Sequence, residues 1–229
     1  MIVVCQMNTT LFIETSGPYC SLALRVEGED FVESRKLDRA HNEHVLAMLD
    51  GLYERAGLDR LSTNLIGFSA GPGSFTGVRI GAAIAQAIGF ASDAMVVPVS
   101  SSLVLAITAS LRFKKTEWIT SIKSRKDLYY WTHYSVTADS GHEIRETLLF
   151  DRSPVWLEEI LGSVGIVGDR PEWLEKKWVD GFVDVYPEAS AVLDLIEKMH
   201  LEGRSRMPEE ALPIYVEGDS PWVKELDRK

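Results

Sequence analysis

The sequence predicts an α/β protein of two lobes, residues 1–112 and 113–229. Three observations carry that reading. In the first half, three strand-like runs are followed by helix, strand, helix, strand and helix, the alternation expected of a sheet covered by helices. A glycine-rich loop, "AGPGSFTG", joins a short apolar strand to a helix of small and aliphatic residues. From Glu117 onward the chain is richer in aromatics and mixes strands with short amphipathic helices, a change of character that places a lobe boundary near residues 112–116.

Each element has its own signal. "TLFIETS" and "YCSLALRVEG" are β-rich runs separated by Gly17 and Pro18, which reads as a hairpin. "FVESRKL" supplies a third strand. Asn42 suits an N-cap and Glu43 a first turn, after which Val45, Leu49, Leu52 and Ala56 repeat at helical spacing until Gly57 ends the run. Residues 65–70 form a strand entering the glycine loop, "MVVPV" is the strand after the small-residue helix, and "SSSLVLAITASL" is a helix that opens on serine. In the second half, "EWITSIKSRKDLYYWTHYSV" reads as two strands around a polar turn. "SPVWLEEIL", "PEWLEKKW" and "EASAVLDLIEKMH" read as short helices interleaved with "VGIVGD" and "FVDVY".

Composition bounds the function. A chain of 229 residues, 45% hydrophobic, buries a sizeable core. The formal net charge of −10 argues against a protein whose main task is gripping a phosphate backbone, which takes clustered Lys and Arg. It leaves room for a subunit that touches RNA beside a more basic partner. Cys5 and Cys20 are too few for a disulfide framework. "MIVVCQMNTT" lacks the pattern of a signal peptide, and no uninterrupted apolar run approaches the roughly 20 residues that cross a bilayer. The expectation is a cytoplasmic protein without a membrane partner.

The glycine loop poses a choice between holding a phosphate and placing a helix against another protein. A Walker loop needs Gly, four residues, then Gly-Lys-Ser/Thr, and Gly77 follows Gly73 with no lysine before Arg79. A dinucleotide fingerprint needs glycine at the sixth place from Gly71, where Thr76 stands. Backbone N–H groups of Gly71, Gly73, Ser74 and Thr76 at a helix start still make an anion site conceivable. The helix gives the other signal: Gly77, Gly81, Ala85 and Gly89 recur every fourth residue, a row of missing side chains along about 25 Å of helix. Each internal glycine costs about 1 kcal/mol relative to alanine. Close approach of another helix, with Ile80, Ile84 and Ile88 filling the adjoining ridge, offsets that cost; packing on the chain's own sheet is the alternative.

"GPGSFTGVRIG" followed by "VPVSSSLVLA" resembles the bacterial TsaB family, the non-catalytic partner subunit in N6-threonylcarbamoyladenosine synthesis on tRNA. "LFIETSGPYCSLAL", "RAHNEHVLAML", "RKDLYYWTHY" and "LPIYVEGDSPW" extend the match over most of the chain. The resemblance implies a two-lobed fold like the actin, sugar-kinase and heat-shock chaperone ATPases, with ribonuclease H-like lobes and a degenerate nucleotide site. It implies no catalytic activity or cofactor of the chain's own. ATP and metal are expected on its partners, a TsaD-type catalytic subunit and a TsaE-type ATPase, with a homodimer when alone and tRNA met only through the complex. An independent ATP-using enzyme or peptidase of the same superfamily is the alternative.

Residue by residue, the resemblance places the chemistry elsewhere. The His-x-x-x-His metal pair of TsaD-type subunits falls on Ser101 and Leu105, and leucine ligates no metal. The superfamily's Asp-x-Gly-Thr/Ser phosphate turn falls on Glu14, Thr15, Ser16 and Gly17. Glu14 departs from the usual Asp even within the family, and Lys123 and Leu128 stand where relatives commonly carry acids. The family hairpin begins near its initiator, so residues 1–6, before Met7, read as a dispensable tail. Other groups read as structural. With Asn42 as cap, His41 and His44 share no face and hold no metal. Lys123, Arg125 and Lys126 form a basic turn open to solvent or RNA, Arg79 is an interface or surface charge, and Tyr129, Tyr130 and Trp131 are strand packing.

Overall fold

The computed structural model describes residues 9–37, 40–125, 127–160, 164–179 and 181–216; the stretch before Met7, and Lys126, lie outside them. The first sheet holds β1 (Thr9–Glu14), β2 (Tyr19–Val26), β3 (Glu29–Lys36), β4 (Leu65–Ser69) and β5 (Met95–Val99) in the order β3-β2-β1-β4-β5. β1 pairs antiparallel to β2 and parallel to β4. All six residues of β1 and all five of β4 are buried, the continuous burial of strands covered on both faces. The edge strand β3 is mostly exposed and charged, which discourages further pairing.

The second sheet is built from β6 (Glu117–Arg125), β7 (Leu128–Thr137), β8 (Ser140–Phe150), β9 (Gly165–Gly168) and β10 (Phe182–Val183), ordered β10-β9-β6-β7-β8. β6, β7 and β8 are antiparallel, while β9 lies parallel to β6 and β10 parallel to β9. Read from β8 to β10, this is the topology of the first sheet read from β3 to β5. The chain is a duplicated two-lobed α/β fold of the actin and sugar-kinase type.

Helices join the duplicates. α1 (His41–Ala56) and α2 (Phe75–Ser92) pack on the first sheet, while α3 (Ser101–Phe113) packs on β6, β7 and β9 of the second. After the four-residue α4 (Lys176–Val179), α5 (Leu193–Leu201) returns to β1, β4 and β5. One core cluster therefore contains Phe12, Leu65 and Val97 of the first sheet, Trp118, Tyr130 and Val167 of the second, and Val104, Leu105, Leu193 and Ile196 of the two crossing helices. A division at residue 112 separates the strands but not the packing. Arg206 then exchanges backbone hydrogen bonds with Val96 at 2.9 and 2.8 Å, covering the β5 edge.

Four elements differ from the sequence reading. α1 begins at His41 behind Ala40, which makes no side-chain cap, so Asn42 lies inside the helix. "SPVWLEEIL" and "PEWLEKKW" form only a 3-10 segment, Val155–Glu159, and the short α4, because Leu157 and Trp178 each anchor a single turn against the sheet. β8 carries exposed Ile144 and Leu148, so the alternation that marks a strand is blurred. Among the described residues, α2 is long and apolar enough to cross a membrane, yet one side of it is packed on the sheet.

Ile196 is fully buried where α5 crosses the first sheet, and all six tryptophans lie after Glu117. Ile196→Ala is expected to lower the unfolding free energy by about 2–5 kcal/mol. Urea unfolding followed by tryptophan fluorescence and by circular dichroism should shift together; separate transitions would show that the lobes do not share a core.

Candidate partner-docking site

The β1–β2 turn and the glycine loop fill each other's space. Ser16 O accepts from Ser74 N–H at 2.7 Å, and the Thr15 hydroxyl donates to Gly77 O at 2.8 Å. A Cβ at residue 73 would lie 2.6 Å from Ser16 O, one at residue 81 would lie 2.7 Å from Thr15 Oγ1, and one at residue 77 would overlap Thr15 O. Gly89 is closed by Pro208 and Val96, 2.9 and 3.1 Å from the added Cβ. The row Gly77, Gly81, Ala85 and Gly89 is thus buried against the chain's own sheet. The outward docking row expected of it is corrected: the compensation for these glycines is intramolecular.

The loop residues have structural partners too. Ser74 caps α2, its hydroxyl accepting from Gly77 N–H at 3.2 Å, and Thr76 is exposed on the first turn. Gly71 N–H donates to Ser101 Oγ at 3.1 Å, and Ser101 N–H donates to Gly71 O at 2.8 Å. Ser101 therefore holds the loop, and Leu105 lies in the shared core. His41 is buried with Nε2 3.2 Å from Tyr19 O, while His44 is exposed. Among the described residues no cluster of three or more His, Cys, Asp or Glu could hold a metal.

Glu14 is 1% exposed. Its Oε1 accepts from the N–H and hydroxyl of Ser16, each at 2.6 Å, and its Oε2 accepts from the Ser69 hydroxyl. Burial pushes its carboxyl above the ordinary value, outweighing these hydrogen bonds. The residue ties the turn to the end of β4. Where the lobes meet, Ser16, Pro18, Leu105, Lys123, Asp169 and Tyr186 border a cavity of about 60 Å³. Ligand pockets run to roughly 300–1,000 Å³.

Open space lies on the other side of α2. A groove of about 850 Å³ runs between α1 and α2. Leu46, Leu49 and Tyr53 of α1, Leu58 and Leu61 beyond it, and Ala83, Ile84, Ala87, Ile88 and Ala91 of α2 line it. Leu46 is 58% exposed and Leu61 61%, an apolar surface of the kind that marks an interaction site. Its rim is polar, with Arg60 paired to Asp50. Of the expected interface residues, Ile84 and Ile88 reach this groove, while Ile80 is half-buried against the core. Sequence reasoning missed the outer face, although Ala83, Ala87 and Ala91 repeat at the same four-residue spacing as the glycine row.

Comparison with known proteins points one way. The family model described as "TsaD: tRNA N6-adenosine threonylcarbamoyltransferase" matches residues 32–148. The tRNA threonylcarbamoyladenosine biosynthesis protein TsaB of Haemophilus influenzae is 27% identical, covering 96% of this chain and 98% of that protein. Its namesake in Escherichia coli is 26% identical, covering 93% and 96%. Among solved structures, YeaZ from Pseudomonas aeruginosa superposes with a TM-score of 0.76 at 26% identity, covering 92% of this chain and all of the other. A second structure, with similarity to peptidase YeaZ from the same organism, gives 0.78 at 27%, covering 91% and 99%.

Glu14 generates a pH prediction. Its folded-state pKa lies above the ordinary 4.5, so the folded protein keeps a proton that the unfolded chain has lost. The stability from this site is full below the ordinary value and falls as pH rises through the folded one. Urea titrations of wild type and Glu14→Gln across that range should show the wild type losing stability relative to the variant as pH rises. A difference independent of pH would refute the assignment.

Proposed function

Because the chain belongs to the tRNA N6-adenosine threonylcarbamoyltransferase family, in its TsaB (YeaZ) branch, we propose that it is a non-catalytic subunit in t6A modification of tRNA. In this reading it acts in the cytoplasm by docking a TsaD-type catalytic subunit, which transfers the threonylcarbamoyl group to N6 of the adenosine beside the anticodon. The observation that carries the reading is the exposed apolar groove between α1 and α2. A partner presenting a related helix pair completes a four-helix packing there. The same self-complementary face pairs two copies of this chain when the partner is absent. A TsaE-type ATPase joins the assembled complex, and ATP and metal reside on the partners.

The alternative of an independent ATP-using enzyme or peptidase is not favoured. A triphosphate needs backbone approach at the first turn, where Ser16 stands against Gly73, and an interlobe space larger than about 60 Å³. The large groove is walled by alanine, leucine and isoleucine, side chains suited to packing rather than bond cleavage.

Two substitutions one half-turn apart test the docking face. Ala87 is exposed in the groove and Ala85 buried on the sheet. Ala87→Arg is expected to leave the melting temperature near wild type while weakening homodimer and TsaD-type association at least about 30-fold, the scale of an interface hot spot, and abolishing stimulation of tRNA modification. Ala85→Leu should instead lower stability by about 1–3 kcal/mol through overpacking, with the folded fraction still binding partner. The opposite pattern in light scattering and pull-down would move the docking face back to the glycine row. Separately, calorimetry of the isolated chain with ATP and magnesium is expected to give no binding heat; a stoichiometric, tight isotherm would restore the enzyme reading.

A further inference from the structure

Beside the glycine loop lies a second cavity, of about 200 Å³, that the docking role does not use. Loop residues 71–73, the start of α2, the end of β6 and residues 213–216 line it. Two guanidinium groups face it, those of Arg79 and Arg125, and no carboxylate is among the described lining residues. That contrasts with a chain whose net charge is −10.

Arg79 is held in place before any ligand arrives. It donates to Phe75 O and to the Tyr215 hydroxyl, each at 2.8 Å. Its guanidinium carbon lies 3.3 Å from the Phe75 ring centroid and 5.4 Å from that of Tyr215. A guanidinium has five N–H donors, so these two acceptors leave others for a ligand. Arg125 is exposed and stands at a register irregularity in β6, between Lys123 and Arg125, the type of bulge that re-aims a side chain. Phe75 and Tyr215 are 55% and 58% exposed, offering ring faces beside the cations.

We propose that this pocket binds one nucleotide of the tRNA strand, its phosphate on Arg79 and Arg125 and its base against an exposed ring. Guanidinium forks match phosphate oxygens, and unstacked RNA bases settle on aromatic or arginine planes. The cavity is smaller than pockets for drug-sized ligands, roughly 300 Å³ and above, which favours a single strand unit over a nucleoside triphosphate. The proposal rests on the t6A reading and deepens it: the chain touches tRNA directly.

The test uses the full chain with the TsaD-type subunit and an unmodified tRNA transcript. Stimulation of threonylcarbamoyl transfer by wild type is measured first, since its absence sinks the functional reading alone. Anisotropy of labelled tRNA against salt then tests the pocket whatever that outcome. Arg125→Glu should weaken tRNA binding about tenfold, lower the log–log salt slope by about one, and raise KM for tRNA with kcat unchanged, with Arg125→Lys recovering most of the loss. Melting temperature and TsaD-type association should stay at wild type. Arg79→Gln should act in the same direction; if it lowers the melting temperature, the exposed Arg125 pair decides. Wild-type affinity and salt slope in Arg125→Glu would overturn the proposal. So would AMP binding that the variant abolishes while tRNA binding persists, which would assign the pocket to a free nucleotide.

Discussion

Thr15 and Ser16 occupy the space that side chains at positions 73, 77 and 81 would need, with backbone oxygens at the first two and the Thr15 hydroxyl at the third, and the first lobe is arranged around that contact. Three glycines in and beside one helix cost about 1 kcal/mol each in helix propensity at the internal positions. What offsets the loss is approach: α2 lies so close to the β1–β2 turn that Ser16 O reaches Ser74 N–H and the Thr15 hydroxyl reaches Gly77 O. With one side of α2 pressed onto the turn and sheet, its opposite side, Ala83, Ala87 and Ala91, has α1 and the segment Leu58–Leu61 beside it, and the groove between the two helices stays open. The same contact fills the turn and leaves the outer face of α2 uncovered.

The duplication gives each lobe an equivalent turn with different local contacts. Both sheets share a strand order, and the turns β1–β2 and β6–β7 are equivalent within it. In the first lobe the buried Glu14 side chain ties the turn inward through Ser16 and Ser69. In the second, Lys123 N–H donates to Asp169 at 2.8 Å, and the chain after it departs from regular pairing. α3 and α5 cross between lobes and share one core. A helix pair that swaps sheets couples the lobes by packing, which suits a rigid surface for another subunit more than a cleft that opens and closes.

Strand and helix order was legible because burial imposes period: β1 and β4 are continuously apolar, and α1 keeps Val45, Leu49 and Leu52 inward. Ser101 and Leu105, singled out by the resemblance, take structural places: Ser101 holds the glycine loop and Leu105 lies in the shared core. The direction of α2 was not legible. It carries two small-residue rows at the same spacing, and which one faces inward depends on where the β1–β2 turn sits, a long-range fact with no local signature. The α1 start was misread because Asn42 is a good cap by type, whereas the helix begins two residues earlier, behind Ala40, on a hydrogen bond from Glu43 N–H to Ala40 O at 3.1 Å. The basic pocket was half visible: Arg125 and Arg79 were each noted, but 46 positions apart nothing in the sequence brings them together.

Net charge and the basic pocket pull in opposite directions, and their ranges differ. At physiological salt the field of distant carboxylates is screened beyond about 8 Å, so an excess of acids elsewhere weakens encounter with RNA more than it weakens a contact already made. Phosphate contacts fix register and carry no base information. A chain with one such contact and an acidic remainder holds RNA poorly alone, and gains from it only after a more basic partner has brought the strand close. In the proposed assembly the groove between α1 and α2 supplies affinity for that partner, while Arg79 and Arg125 supply alignment of the strand. Arg79 lies near the start of α2 and Ala83, Ala87 and Ala91 follow it toward the other end, so the glycine contact that fixes this helix makes partner docking and strand alignment parts of the same rigid body.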